Sequence, residues 1–330
     1  MNKKRSLLLM VTSILLLILS LVSLCVGRVF LSPGQVLSMV LGGMTDSTPS
    51  QLLWQFRIPK LITAILAGGG LGVSGLQLQT LFRNPLAEPF VLGISGGASL
   101  GVAIVVLAEG ILPFPLPDLS FVGGACLGAT AVLLLLLLVS ARLTDSRSLL
   151  ILGLLLSYIF SALASLLVYF APTDRIQQFL SWSTGSFRGV SLAELGYFSV
   201  LITVSLGIAF GLISALNILL LGEEYAVSLG VSLPKVRLLL VLSSSLMSGT
   251  VTAYCGPISF LGIIVPHICR LAWSTSDHSW LCPTTVVVGA LLAIAADLLT
   301  QLPPVMLPLN TVTTLLGAPV VLLILRHNKL

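Results

Sequence analysis

Residues 57–101 read RIPKLITAILAGGGLGVSGLQLQTLFRNPLAEPFVLGISGGASLG, two apolar segments joined by a polar elbow from Arg83 to Pro89. The first segment, Ile58 to Phe82, is long enough to cross the ~30 Å hydrocarbon core of a bilayer as a helix. Gly68, Gly69, Gly70, Gly72, Ser74 and Gly75 leave much of it without bulky side chains. In a membrane, small residues let neighbouring helices approach closely. Pro85 and Pro89 stop one helix and delay the next. Such a segment belongs inside a multi-helix bundle.

Composition points the same way. Of 330 residues, 56% are hydrophobic and only 8% charged, against roughly 25% charged in a soluble domain. A soluble fold cannot hide that much apolar surface, so lipid is the expected solvent and an all-α polytopic membrane protein the expected fold class. Cys25, Cys126, Cys255, Cys269 and Cys282 lack metal-ligand spacing and read as small apolar residues. A net charge of +5 would suggest nucleic acid for a soluble chain. Here it is better explained by basic residues collected on the inner side of a membrane, with no nucleic-acid partner.

In chain order, Lys3, Lys4 and Arg5 precede an apolar run from Ser6 to Val26. The run is too long for a signal-peptide core, and Leu24 is not the small residue that cleavage wants. An uncleaved first span is expected. Residues 28–56 are mixed and polar and read as an extramembrane loop. Further apolar runs follow at about 90–108, 119–141, 148–170, 192–220, 233–253, 258–271, 284–301 and 308–325, giving about ten spans in one membrane domain covering residues 1–330. The 258–271 run is short and interrupted by Gly262 and Pro266, a broken helix that needs protein or a water-filled cavity around its backbone. Arg175 to Gly189 reads as a short amphipathic helix at the outer surface.

Ten spans with the N-terminus inside divide the basic residues unevenly. Lys3, Lys4, Arg5, Arg83, Arg142, Arg147, Lys235, Arg237, Arg270, Arg326 and Lys329 fall inside, and only Arg28, Arg57, Lys60, Arg175 and Arg188 outside. The bias has the sign the positive-inside rule demands, with both termini in the cytoplasm.

For chemistry the sequence offers mainly absences. There is no GxxxxGK[ST] loop for ATP, no HExxH and no GxSxG. Ile94-Ser-Gly-Gly97 superficially resembles an ATPase signature but opens a spanning helix. His267, His278 and His327 are too scattered for a metal site. Neither a catalytic centre nor a cofactor of the chain's own is expected. Asp297 lies inside an apolar run, where a charge costs on the order of 3 kcal/mol or more. It reads either as a proton relay or as a carboxylate bridging backbone near its helix end. No second acid, Lys or His occupies the middle of another span, which favours the structural role.

Residues 219–237 read LLLGEEYAVSLGVSLPKVR. Glu223 and Glu224 suit the first turn of a short helix. Ala226, Val227 and Leu229 give it an apolar face, and Gly230 ends it. It reads either as a docking knob on the inner side or as an ordinary surface loop helix.

Taken together, Arg57-Ile-Pro-Lys60, Ser74-Gly75, RNPLAEP at 83–89, LGISGG at 92–97, AVSLG at 226–230 and GPISFLGIIVPH at 256–267 closely resemble the FecCD family over essentially the whole chain. These are the permease subunits of type II ABC importers for iron–siderophores, haem and vitamin B12. The resemblance implies ten helices, a homodimer or pseudo-dimer around a central pathway, two cytoplasmic ATPase subunits that bind ATP and Mg²⁺, and a periplasmic or lipid-anchored binding protein.

The resemblance also implies roles for individual residues. Residues 221–232 would hold the coupling helix, with Glu223, Glu224, Tyr225, Ala226, Leu229 and Gly230 meeting the ATPase. Arg57 and Lys60 would receive acidic residues of the binding protein, and Asn84, Leu86, Thr144 and Asp145 would form inner gates. A third outer basic position of some members falls on Gln301, and Asp145 replaces a small neutral residue. An iron complex is the first cargo expected, with cobalamin or an oxyanion such as molybdate as alternatives. An ion-coupled secondary transporter is a different class, and it would need intramembrane ion ligands that the sequence lacks beyond Asp297.

Overall fold

The computed structural model describes residues 2–27, 29–43, 47–111, 121–140, 146–302 and 306–327, and every regular element among them is helical. The first helix, α1 (Asn2–Cys25), is followed by α2 (Pro33–Gly42) and α3 (Thr48–Leu52). A π-turn at Leu53–Arg57, in which the Ile58 N–H reaches back to the Leu53 carbonyl, then carries the chain directly into α4 (Ile58–Leu81). Beyond the elbow come α5 (Ile94–Ile111), α6 (Phe121–Ser140), α7 (Ser146–Tyr169) and the short α8 (Thr173–Ser183). The second half comprises α9 (Leu195–Gly211), α10 (Ile213–Leu219), α11 (Glu223–Ser228), α12 (Leu233–Cys255), α13 (Leu261–Trp273), α14 (His278–Thr300) and α15 (Leu309–His327).

Six helical segments among the described residues are long and apolar enough to cross a membrane. The α9–α10 pair adds a crossing bent by 51°, and α5, α13 and α15 supply shorter apolar helices. This is the ten-span, all-α architecture that hydropathy suggested. Exposed Leu7, Leu17, Leu155 and Leu166 on α1 and α7 face where lipid would lie.

The centre of the bundle is α4. Of its most apolar stretch 83% is buried, against 6% for α1, and it packs on α9, α12, α13 and α14. Its glycines make this possible. A Cβ added at Gly68 would overlap the Gly289 carbonyl of α14, and one added at Gly289 would overlap the Gly68 carbonyl. Gly97 and Gly101 of α5 meet Gly128 and Gly124 of α6 in the same reciprocal way. Such approaches gain dispersion contacts between backbones where lipid offers no hydrophobic drive.

Several expectations change. Residues 28–56 are not a plain loop. Ser32 and Gln35 form a reciprocal capping box that starts α2 with Pro33 in its first turn. The run at 192–220 is not one straight helix but breaks at Leu212. Asp277, accepting from the Ser279 N–H, starts α14 at His278, six residues before the hydropathy boundary. The short 258–271 run is broken as expected, and its exposed backbone is satisfied by protein. Ser259 N–H donates to Asn310 Oδ1 at 3.2 Å, and Phe260 N–H to Glu88 Oε2 at 3.1 Å.

Candidate functional site: the two ends of the bundle

At one end, the Arg57 end, a cavity of about 400 Å³ opens between the α1–α2 connection, the π-turn, the α8–α9 connection and the end of α14. Arg57, Lys60, Arg188 and Gln301 line it. Arg57 and Lys60, the two cations that the family resemblance assigns to a partner, are turned inward, each 6% exposed. The π-turn aims the Arg57 guanidinium at the end of α1, where it donates to the carbonyl oxygens of Leu24, Cys25 (2.9 Å) and Val29. The first two are carbonyls that the end of α1 leaves without intrahelical donors, and the third belongs to the connection that follows it. Lys60 Nζ lies 2.7 Å from Asp297 Oδ2. The cation left exposed in this cavity is Arg188, placed by a 3₁₀ turn that the Ser186 hydroxyl caps, with its guanidinium 2.8 Å from Met306 Sδ.

Asp297 thus has a basic partner that the linear sequence hid. Its carboxylate also accepts from Gln301 Nε2 at 2.9 Å, and the same amide reaches the Asp297 carbonyl at 3.1 Å. The pairing fits the structural reading of this acid. Gln301, onto which the family resemblance maps an outer basic position of some members, is occupied with ordering it.

A polar seam descends from there through α4. The Gln77 carbonyl accepts from Ser243 and Ser244 hydroxyls of α12 at 3.0 and 2.9 Å. Two residues further, the Gln79 amide donates to the Gly262 and Ile263 carbonyls of α13, while its oxygen accepts from Arg270 at 2.6 Å. Thr80 meets His278 Nε2 at 2.9 Å, His278 Nδ1 meets Asn217 Oδ1 at 2.9 Å, and Asn217 Nδ2 donates to Asp277 at 2.8 Å. The Ser279 amide and Asn217 together hold the Asp277 carboxyl below its usual range. These contacts tie α4, α10 and α14 together beside α11.

At this second end, α11 projects as a six-residue knob. Ala226 is fully buried, whereas Tyr225, Val227 and Leu229 are 67%, 57% and 62% exposed. The outward apolar face therefore includes Tyr225 and excludes Ala226. Gly230, at φ +81°, closes the helix, and the Val231 N–H returns to the Ala226 carbonyl. Glu223 pairs with Arg237 of α12 at 3.6 Å, and Glu224 is exposed.

In the elbow, Asn84 Oδ1 accepts from the Leu86 N–H at 3.0 Å, and both residues are half-buried. Thr144 and Asp145 lie outside the described residues. Sequence reasoning missed Glu88, which stabilises the α13 break from inside the bundle, and the Asn217–His278–Thr80 chain. Two cues were available, the Asp277-His278-Ser279 cap and the acid between the elbow prolines.

Residues 15–327 match the FecCD transport family. A vitamin B12 import system permease protein, BtuC, of Klebsiella pneumoniae is 36% identical over 314 residues, covering 94% of this chain and 90% of the relative. The Salmonella arizonae protein of the same name is 38% identical over 91% of this chain and 88% of its own length. Among solved structures, an inward-facing ABC transporter assigned to the metal-chelate type superposes with a TM-score of 0.84 at 30% identity. That superposition covers 98% of this chain and 99% of the other.

Proposed function

The chain belongs to the FecCD transport family, the permease subunits of type II ABC importers whose ATP hydrolysis occurs in a separate subunit, and from that premise we propose that it carries a corrinoid of the vitamin B12 type across the cytoplasmic membrane. One observation carries the cargo reading: relatives 36–38% identical over more than nine-tenths of the chain are named vitamin B12 permeases. An iron complex, placed first from the sequence alone, moves behind cobalamin. The neighbour of the metal-chelate type keeps ferric siderophore as the second reading, since both cargoes are bulky metal chelates.

In this reading the α11 end faces the cytoplasm, and the apolar Tyr225–Leu229 knob seats in a cleft of an ATPase that binds ATP and Mg²⁺. Two copies of the chain surround the pathway. Closure of the two ATPases pushes on α11. The push reaches the α4 core through the Asn217–His278–Thr80 links and tilts the two permease copies relative to each other. The Arg57 end receives a binding protein that holds the cargo, with Arg188 as the exposed cation of its cavity. Asn84 and Leu86 narrow the cytoplasmic exit.

The test is uptake into proteoliposomes containing this chain, its ATPase and its binding protein. Labelled cyanocobalamin, ferric siderophore and haem are compared with and without ATP. ATP-dependent uptake of cyanocobalamin alone is the expected result. Uptake of ferric siderophore alone would move the cargo to the second reading, and uptake driven by an ion gradient without ATP would refute the importer mechanism.

A further inference from the structure

Beside α11 lies a second cavity, of about 370 Å³, between the end of α4, the elbow, α10 and α13. Arg83, Arg270, Thr80, Pro85 and Leu219 line it, together with Gln79 and Leu220, and no acid is among the lining residues. The two guanidinium groups are held very differently. Arg270 is half-buried and anchored by Gln79 Oε1, itself fixed through its amide to two α13 carbonyls. Arg83 is exposed and has no ion-pair or hydrogen-bond partner for its side chain among the described residues. Its backbone sits at φ +47°, a left-handed conformation uncommon for a long side chain. Strained positions of that kind persist where the surroundings or the function demand them. The Arg83 guanidinium reaches to within 3.1 Å of where a Cβ on Gly222, the residue preceding α11, would stand.

We infer that this cleft is a receptor for one carboxylate side chain of the ATPase subunit, a polar contact beside the apolar knob of α11. A planar guanidinium matches a carboxylate in a two-bond fork, which an ammonium cannot reproduce. One anchored cation and one free cation in a concave site favour capture of a single acid. The occupant is assigned to the ATPase because the cleft is continuous with α11 through Gly222, so whatever covers the exposed Tyr225 and Leu229 also covers Arg83. The inference rests on the proposed function for the identity of that partner.

Binding of the purified ATPase subunit to this permease in nanodiscs tests it, using Arg83→Glu, Arg83→Ala and Arg83→Lys with Leu229→Asp as the knob control. Arg83→Glu is expected to weaken association at least tenfold and Arg83→Lys to restore only part of it. A charge reversal of one ATPase acid should rescue Arg83→Glu. If Arg83→Glu unfolds the chain, the Ala and Lys variants decide by the same readout. Unchanged ATPase affinity in the Arg83 variants while Leu229→Asp abolishes binding would overturn the carboxylate site and leave the importer reading standing. Unchanged affinity in Leu229→Asp as well would mean that the importer reading itself had failed at α11. Loss of binding to anionic-lipid nanodisc surfaces, with ATPase affinity intact, would make the cleft a headgroup site and also overturn the inference.

Discussion

Lys60 Nζ of α4 and Asp297 Oδ2 of α14 form an ion pair at 2.7 Å with each side chain only 7% exposed. The two helices cross at Gly68 and Gly289, close enough for a lysine near one helix start to reach an acid near the other helix end. In a buried pair the attraction is largely offset by desolvation, but removing one partner strands a charge.

Lys60→Ala or Asp297→Ala should therefore each destabilise the folded chain by about 3–5 kcal/mol, whereas replacing both with apolar residues of similar volume should cost much less. Chemical unfolding in detergent, analysed as a double-mutant cycle, measures this. A proton-relay role for Asp297 predicts instead that the stable double variant loses transport selectively.

Arg57→Ala and Arg188→Glu should separate folding from docking. Arg57 is committed to two carbonyls at the end of α1 and one in the connection after it, so its loss lowers the unfolding temperature. Arg188 is exposed, so its reversal should leave stability within about 0.5 kcal/mol. It should instead slow association of the binding protein at low salt, an effect that fades as ionic strength rises. Stopped-flow association at two salt concentrations reads the difference.

Tyr225→Ala and Leu229→Asp, on the exposed face of α11, should weaken ATPase binding by roughly 10-fold or more, as truncation of an aromatic anchor at an interface commonly costs 2 kcal/mol or more. Ala226→Asp buries a charge under α11 and should unfold the knob itself. Loss of helical protection by hydrogen exchange across 223–231 would distinguish it from the surface variants.

Gly68→Ala and Gly289→Ala should each cost about 1–3 kcal/mol by overpacking the α4–α14 crossing. Gly34→Ala, where nothing lies near the added atom, should cost little. The fraction of each variant surviving a thermal challenge in detergent checks the ranking.

Long apolar runs were legible because length and hydropathy suffice to define a span in lipid: α4 was read as 58–82 and α13 as a short, broken helix. The α2–α3 region was not, because its helices are short and begin at a capping box in α2 and a first-turn proline in each, rather than at a hydrophobic stripe. The α9–α10 break was invisible because Gly211 and Leu212 carry no proline-like stop. Lys60 was placed at a surface because it stands near the start of its span, yet its four-carbon stem carries the ammonium inward. Glu88 was read as loop because the elbow's return into the bundle is a tertiary fact. At the α11 end, Gly230 was legible as a stop, while the outward turn of Tyr225 depended on how α11 sits on its neighbours.

The π-turn at Leu53–Arg57 holds one residue more than an α-helix would in the same turn. Ser50 and Leu53, both fully buried, are set in angular register by that surplus. Deleting a single residue between 53 and 56 would let the helix close normally and swing everything ahead of it by about 100° relative to α4. This segment should therefore tolerate almost no change in length, and substitution chiefly at its exposed Gln55 and Phe56, so that natural variants of the protein would be expected to differ there in letters while keeping the same spacing.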